Sequence, residues 1–126
     1  MRISTWVAAA LVAAAGTVTA PAFAQSDSHG LAAVYTDKLQ GHKTANGERY
    51  DRGKLTAAHQ TLPLGSRAKV TNVKNNKSVV VRINDRGPTQ PGRVIDLSRK
   101  AAQSIGINPR GMGEVRVEHL GKPAAK

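Results

Sequence analysis

Short apolar runs, each bounded by turn-forming residues, are the feature that most constrains the fold of this chain. The run at 79–83, Val-Val-Val-Arg-Ile, follows the asparagine-rich segment 74–77 and precedes an Asp-Arg-Gly-Pro segment at 85–88. Asparagine tolerates left-handed dihedrals and proline cannot continue a central strand, so both flanking segments are predicted to be turns. Residues 67–73 alternate before the first turn and are predicted to pair with 78–83 as a hairpin.

The rest of the chain repeats this arrangement and adds a single helix. Residues 31–35 and 113–119 are predicted to be strands, and 55–58 is a short apolar segment. Ser98 is a suitable N-cap for a helix over about 98–105, which carries alanines on one face and is followed by a glycine. Many short strands with one short helix predict a mostly β fold, a small closed or nearly closed barrel.

The first residues have the pattern of a secretory signal peptide. Met1 and Arg2 give a positive start, an alanine-rich apolar run covers 6–15, and the Ala-Phe-Ala segment 22–24 is a cleavage signal. An uncleaved membrane anchor is the alternative, although the apolar run is too short to span a bilayer comfortably. The predicted organisation is a signal peptide at 1–24, a flexible leader at 25–29, one domain at 30–120 and a disordered tail at 121–126.

Composition restricts how the predicted domain is stabilised and where it works. The only tryptophan and the only phenylalanine, Trp6 and Phe23, lie in the signal segment, so the core must be aliphatic with Tyr35 and Tyr50. The chain has no cysteine, which excludes disulfide bonds and a lipid anchor on a lipobox cysteine. We therefore expect an exported, soluble monomer, periplasmic or secreted, without a membrane anchor after cleavage near Ala24.

The charge balance predicts an anionic partner. Loss of Arg2 with the signal leaves 18 basic and 8 acidic residues, a net charge of +10. An exported protein rarely meets nucleic acid, so the glycan strands of the bacterial wall are a better candidate. Their muramic acid residues expose a lactyl carboxylate wherever the stem peptide has been removed. Simple solubility or loose retention in the envelope is the alternative explanation of the charge.

Asp85 is the candidate catalytic acid, because it ends an apolar run and enters a sharp turn. Glycan cleavage needs a protonated acid at the leaving oxygen. A lytic transglycosylase can use one acid/base residue for both steps, since the hydroxymethyl oxygen of the sugar attacks the anomeric carbon. Arg82 and Arg86 favour the charged carboxylate unless they point elsewhere. The alternative is a turn residue whose side chain accepts hydrogen bonds from backbone amides.

Glu48, Asp51 and His59 add titratable groups in a second polar region. The two acids are weak evidence by themselves, and a lone histidine after an apolar segment is more often structural. Beside Asp85, however, His59 could orient the acid or bind substrate. No pair of histidines has the spacing of zinc ligands, and the chain has no P-loop, serine elbow or dinucleotide fingerprint, so no metal or cofactor is expected.

Five ordered motifs now make the chain recognisable; they lie at 43–51, 56–65, 70–72, 79–88 and 93–98. Together they resemble the rare lipoprotein A (RlpA) family over about residues 30–120. The resemblance implies a six-stranded double-psi β-barrel and an endolytic peptidoglycan lytic transglycosylase. It further implies a preference for strands that lack stem peptides, and products with anhydromuramic acid ends.

The resemblance also assigns residues by position. The family's active-site cluster corresponds to Glu48, Asp51, His59 and Asp85, with Asp85 as the general acid/base. The residues expected to bind the glycan are Tyr35, Thr44, Asn46, Arg86 and Arg93.

Three positions depart from the family pattern. Many relatives have aromatic residues where this chain has Val34 and Thr89, and a glycine where it has Thr36. These changes weaken sugar stacking and leave a second hypothesis open, a non-lytic expansin-like module that binds peptidoglycan or loosens the wall. A basic nucleic-acid binder is a third hypothesis, and the signal peptide argues against it.

Overall fold

The computed structural model describes residues 27–122. They form six strands and one helix, with a short 3₁₀ turn at Asp37–Leu39. The elements are β1 (Ser28–Val34), β2 (Thr56–His59), β3 (Arg67–Asn72), β4 (Ser78–Asp85), β5 (Arg93–Leu97), α1 (Arg99–Ser104) and β6 (Gly113–Gly121). The predicted signal peptide lies outside the described residues, as do the last four residues of the predicted tail.

The strands close into one barrel in the order β1-β5-β2-β4-β3-β6. Two of the pairings, β1 with β5 and β2 with β4, are parallel, and the other four are antiparallel. Closure leaves no strand edge unpaired, which a small sheet would otherwise have to protect. The predicted mostly β barrel with one short helix is confirmed.

The interior of the barrel is aliphatic, as the composition requires. Side chains from all six strands meet there, and Ile83, Ile95, Leu97 and Val117 are fully buried. Burial of each such side chain stabilises the fold by about 1.5–3 kcal/mol. The described residues contain no disulfide, so packing and the strand hydrogen bonds hold the barrel.

Ser98 begins the helix as predicted. Its hydroxyl accepts a hydrogen bond from the backbone N–H of Ala101 over 3.2 Å and donates to the Lys54 carbonyl over 2.5 Å. Ala101 and Ala102 are fully buried against the barrel. The cap therefore joins the start of α1 to the loop before β2.

The chain termini differ from the prediction in detail. β1 begins at Ser28, so Ser28 and His29 of the predicted leader belong to the barrel, and β6 extends to Gly121. Among residues 27–122 no helix is long and apolar enough to cross a membrane.

Strand pairing at the centre of the barrel positions the candidate site. Ala58 of β2 pairs with Asp85 of β4 on one side and with Asp96 of β5 on the other. Residues directly opposite one another in paired strands point to the same face of the sheet. Asp85 and Asp96 therefore share one face, whereas the next residue, His59, pairs with the buried Ile95.

Candidate active site

Asp85 stands at the end of β4 and accepts hydrogen bonds from three donors. The Tyr35 hydroxyl donates to Oδ2 over 2.5 Å. The backbone N–H groups of Ala45 and Arg86 donate to Oδ1 over 2.8 and 2.9 Å. The carboxylate lies beside a cavity of about 240 Å³, so it is fixed in orientation and open to a ligand.

Tyr35 is held so that it can act only as a donor to Asp85. Its ring stacks on Tyr50 with the centroids 4.4 Å apart. Burial raises the pKa of the Tyr35 hydroxyl well above its ordinary value, and the hydrogen bond to Asp85 and the charges of Asp85 and Asp96 raise it further. The hydroxyl therefore keeps its proton and defines where Asp85 Oδ2 lies.

The loop between β1 and β2 supplies the Ala45 donor, and its own side chains keep it folded. The Thr44 hydroxyl lies 2.7 Å from Asn46 Oδ1, which also accepts the Glu48 N–H over 3.0 Å. The Asn46 N–H donates to the Asn84 carbonyl over 3.2 Å, which attaches the loop to β4. Thr44 and Asn46, predicted to bind substrate, thus shape the loop that presents the Ala45 amide.

Glu48 anchors the same loop through a bidentate ion pair with Arg82. Its carboxylate oxygens lie 2.9 Å from the two terminal nitrogens of Arg82, and Asn84 Nδ2 donates to it over 3.3 Å. The hydrogen bonds from Arg82 are the main cause that lowers the pKa of Glu48. Glu48 is therefore ionised and suited to positioning rather than to proton donation, and it engages the guanidinium of Arg82.

Asp51 lies near Glu48 on a second cavity of about 510 Å³. Its Oδ1 accepts a hydrogen bond from the Gly53 N–H over 2.9 Å, which closes a local turn. The cavity lining combines the two acids with bases, amides and one tyrosine: Gln40, Gly41, Glu48, Arg49, Tyr50, Asp51, Lys54, Thr56, Arg82 and Asn84.

His59 does not join the group around Asp85, contrary to the expected cluster. The side chain is only 7% exposed, and Nδ1 accepts hydrogen bonds from the backbone N–H groups of Thr61 and Leu62 over 3.1 and 3.2 Å. Nε2 is buried without a partner within the described residues. Burial lowers the pKa of His59, and the nearby charges of Arg86 and His119 add to this.

Arg86 links His59 to Asp85 through the turn. Its Nη1 donates to the carbonyls of His59 and Leu62 over 3.1 and 2.6 Å, while its backbone N–H donates to Asp85. The guanidinium thus clamps the turn after β2, and within residues 27–122 it forms no ion pair with Asp85. Arg86 also lines the small cavity, so the expectation that it contacts a glycan remains compatible with its place.

Asp96 is a site residue that the sequence did not single out. It lines the small cavity together with Asp85, and its Oδ1 accepts a hydrogen bond from Arg93 Nη2 over 2.6 Å. Arg93, predicted to bind substrate, lies at the same cavity. The signal that could have found Asp96 is its pairing with Ala58, which depends on strand register and not on local sequence.

Within residues 27–122, no three side chains of the His, Cys, Asp or Glu types converge to hold a metal ion. The arrangement instead offers one oriented carboxylate, a second carboxylate on the same face, and two arginines, Arg86 and Arg93, at the same cavity.

Comparison with known proteins decides the family. The family model described as lytic transglycolase matches residues 27–117, which is most of the chain. This chain belongs to the RlpA family. Two curated relatives named endolytic peptidoglycan transglycosylase RlpA support this, one from Haemophilus influenzae, 55% identical over 91 residues, and one from Vibrio cholerae, 55% identical over 89 residues.

The match covers part of these RlpA proteins. It includes 72% and 71% of this chain but only 32% and 34% of the two relatives, so the chain spans about a third of their length. A crystal structure of an expansin from Clavibacter michiganensis has the same fold, with a TM-score of 0.60 and 22% identity over 79% of this chain and 52% of that one. The double-psi barrel of the RlpA family is therefore established for this chain.

Two of the three departures from the RlpA pattern fall at the site. Val34 and Thr36 line the small cavity on either side of Tyr35, whereas Thr89 is not part of its lining. Tyr35 is thus the sole aromatic side chain among the lining residues of this cavity.

Proposed function

We propose that this chain is an endolytic peptidoglycan lytic transglycosylase with Asp85 as its general acid/base. The observation that carries the proposal is the carboxylate of Asp85, oriented by the Tyr35 hydroxyl and two backbone N–H groups beside an open cavity. A single oriented carboxyl group is the minimum that this reaction requires.

The reaction needs one proton to be given and one to be taken. Asp85 donates a proton to the glycosidic oxygen as its bond to the anomeric carbon of muramic acid breaks. The hydroxymethyl oxygen of the same sugar then bonds to that carbon, and its proton returns to Asp85. The products are an anhydromuramic end and a new glycan end, with no water consumed, and the carboxyl group is regenerated.

The two arginines close to Asp85 in the sequence are bound to other groups. Arg82 and Arg86 are committed elsewhere, to Glu48 and to the carbonyls of His59 and Leu62. These contacts support the expectation that the flanking arginines point elsewhere and do not pair with Asp85.

The remaining residues of the predicted site act through Asp85. Glu48 and Asn46 position the loop that carries the Ala45 amide, and His59 positions the turn that Arg86 clamps. We assign them as positioning residues, while Tyr35, Arg86 and Arg93 contact the glycan or the acid itself. Asp51 lines the cavity of about 510 Å³, where the glycan strand would continue.

The relatives and the charge support the proposed substrate and location. Relatives named endolytic peptidoglycan transglycosylases act on a polymer outside the cytoplasm, so this protein is exported, in agreement with the signal pattern at 1–24. Strands without stem peptides are the preferred substrate, because their exposed lactyl carboxylates complement a chain with 19 basic and 8 acidic residues.

The direct assay is incubation of the protein with glycan strands stripped by an amidase, followed by mass spectrometry. We expect fragments that end in anhydromuramic acid. Hydrolysed, reducing ends in their place would contradict the transglycosylase reaction.

A non-lytic, expansin-like peptidoglycan-binding module is the second candidate function. It is favoured by Val34 and Thr36, which leave one aromatic side chain at the small cavity for stacking on a sugar. Pull-down of purified sacculi distinguishes the two functions. Retention on sacculi without any anhydromuramic ends would support the binding module and refute the enzyme.

A further inference from the structure

A third cavity, of about 630 Å³, adjoins the one beside Asp85 and is strongly basic. Its lining includes Lys38, Arg93, Arg99 and Arg110, against a single carboxylate, Asp37. Val34, Tyr35, Thr36 and Arg93 line both cavities, so a polymer in one reaches the other without leaving the surface.

The positive charge of this basic cavity is not neutralised by its own residues. Asp37 Oδ2 lies 3.3 Å from Arg99 Nη2 and is shared with Arg52 at 3.7 Å. Within residues 27–122, Lys38 and Arg110 form no salt bridge, and both are exposed. Two cations thus remain available to an anion.

The two partly buried arginines of the cavity are held by carboxylates. Arg93 binds Asp96 and Arg99 binds Asp37 through Nη2, but the Nε atom of each is buried without a partner in the described part of the chain. Because these two Nε atoms are buried, the exposed Lys38 and Arg110 are the cations that a ligand can reach. Pro109 and Met112 add an apolar wall to the same cavity.

We propose that the basic cavity is a subsite for a carboxylate carried by the glycan next to the bond that is cleaved. This inference rests on the proposed function, because the basic cavity adjoins the small cavity beside Asp85. The carboxylate has two possible sources in peptidoglycan, the lactyl group of a stripped muramic acid or the acidic residues of a stem peptide. Guanidinium groups recognise either one through charge-assisted hydrogen bonds.

The test compares two double variants that each lose two positive charges. Lys38→Gln/Arg110→Gln removes the unpaired cations of the basic cavity. Arg67→Gln/Lys69→Gln removes two exposed cations of β3, across the barrel. Both double variants also carry Asp85→Asn, so that the glycan strands stay intact during the binding measurements. Binding is measured at about 0.15 M salt, where distant charges are screened.

Three ligands separate the sources of the carboxylate. They are stripped glycan strands, strands that keep their stem peptides, and a neutral N-acetylglucosamine oligomer. The cavity variant should bind a carboxylate-bearing strand about tenfold to a hundredfold more weakly than its parent, since charge-assisted hydrogen bonds are lost. Its affinity for the neutral oligomer should change by less than about twofold, which also confirms that it is folded.

Each outcome decides the proposal. A selective loss on stripped strands identifies the lactyl carboxylate, and a selective loss on peptide-bearing strands identifies the stem peptide; both support the subsite. Equal losses in the two double variants, or no loss in the cavity variant, overturn it. Cleavage is measured separately with the natural protein, which keeps Asp85. If the natural protein cleaves but the cavity variant shows no loss of binding, the subsite alone is refuted. A protein that shows the loss but makes no anhydromuramic ends refutes the proposed reaction alone.

Discussion

Two neighbouring parallel strands of this barrel end in titratable residues, and the two residues have opposite surroundings. β4 ends at Asp85, which lies at a cavity and accepts three hydrogen bonds. β2 ends at His59, which pairs with the buried Ile95 and is 7% exposed. Both belong to the motifs that identify the family, so motif membership alone does not distinguish a reacting group from a supporting one.

The difference is one of strand register. Ala58, not His59, pairs with Asp85, and the pairing of β2 with β4 shifts between Ala57 and Ala58. Successive residues of a strand point to opposite faces, so one step along β2 moves a side chain from the site to the interior. Polar donors surround Asp85, whereas burial lowers the pKa of His59 and so favours its neutral form.

After substitution of Asp85 itself, the largest expected effect on this comparison comes from Tyr35→Phe. The substitution keeps the stack on Tyr50 and removes only the hydroxyl that orients Asp85. Without this donor the Asp85 carboxyl group is less firmly oriented, and we expect the cleavage rate to fall by about tenfold to a hundredfold. Initial rates of anhydromuramic end formation measure it.

Tyr50→Phe is the matched control, because the Tyr50 hydroxyl only accepts the Arg99 N–H over 3.2 Å. It should keep the rate within about threefold. Equal losses in the two variants would mean that the stack, and not the hydroxyl on Asp85, matters.

Glu48→Gln, which also alters the surroundings of Asp85, should lower the cleavage rate less than Tyr35→Phe does. It replaces the ion pair with Arg82 by neutral hydrogen bonds, and the loop that presents the Ala45 amide becomes less firmly held. We expect a rate about threefold to tenfold lower, since the pair is partly exposed to solvent.

A double-mutant cycle with Arg82→Gln tests this explanation. If Glu48 and Arg82 act only as a pair, the double variant should be no slower than the slower single variant. Additive losses would show that Glu48 has a separate role, such as direct contact with the glycan.

His59→Asn tests the other residue of the comparison through the free energy of unfolding. Asparagine keeps an acceptor near the position of Nδ1 but does not titrate. The lowered pKa of His59 means that the unfolded chain binds the proton more readily than the folded one. Stability of the natural protein should therefore fall as the pH drops below about 6.5 and through the lower folded pKa.

Urea unfolding over a pH series gives the result. The difference in unfolding free energy between the natural protein and His59→Asn should shrink as the pH falls, because only the natural protein takes up this proton on unfolding. A difference that does not change with pH would contradict the buried, neutral histidine.

The fold was largely predictable because its local signals agree. The hairpin of β3 and β4 and the Ser98 cap were expected from turn and capping residues, and both are present. β5 was not singled out, since Arg93 and Asp96 make it look polar. Its Ile95 and Leu97 become buried only through pairing with β1 and β2, which are distant in sequence.

The site was predictable only in part, for a related reason. Asp85 could be proposed from its strand and turn, and the loop with Glu48 came from resemblance. The Ala45 donor has no residue-type signature, because any residue offers a backbone N–H. Asp96 and the interior position of His59 depend on strand register across three strands, which no local pattern specifies.

The most direct test of the account is the cleavage rate of Asp85→Asn beside that of His59→Asn on the same stripped glycan strands. Loss of a general acid/base should lower the rate of Asp85→Asn by about 10²–10⁴-fold. His59→Asn, which preserves the turn after β2, should stay within about threefold of the natural protein. An Asp85→Asn protein that cleaves as fast as the natural one, or a folded His59→Asn protein that is equally inactive, would contradict the account.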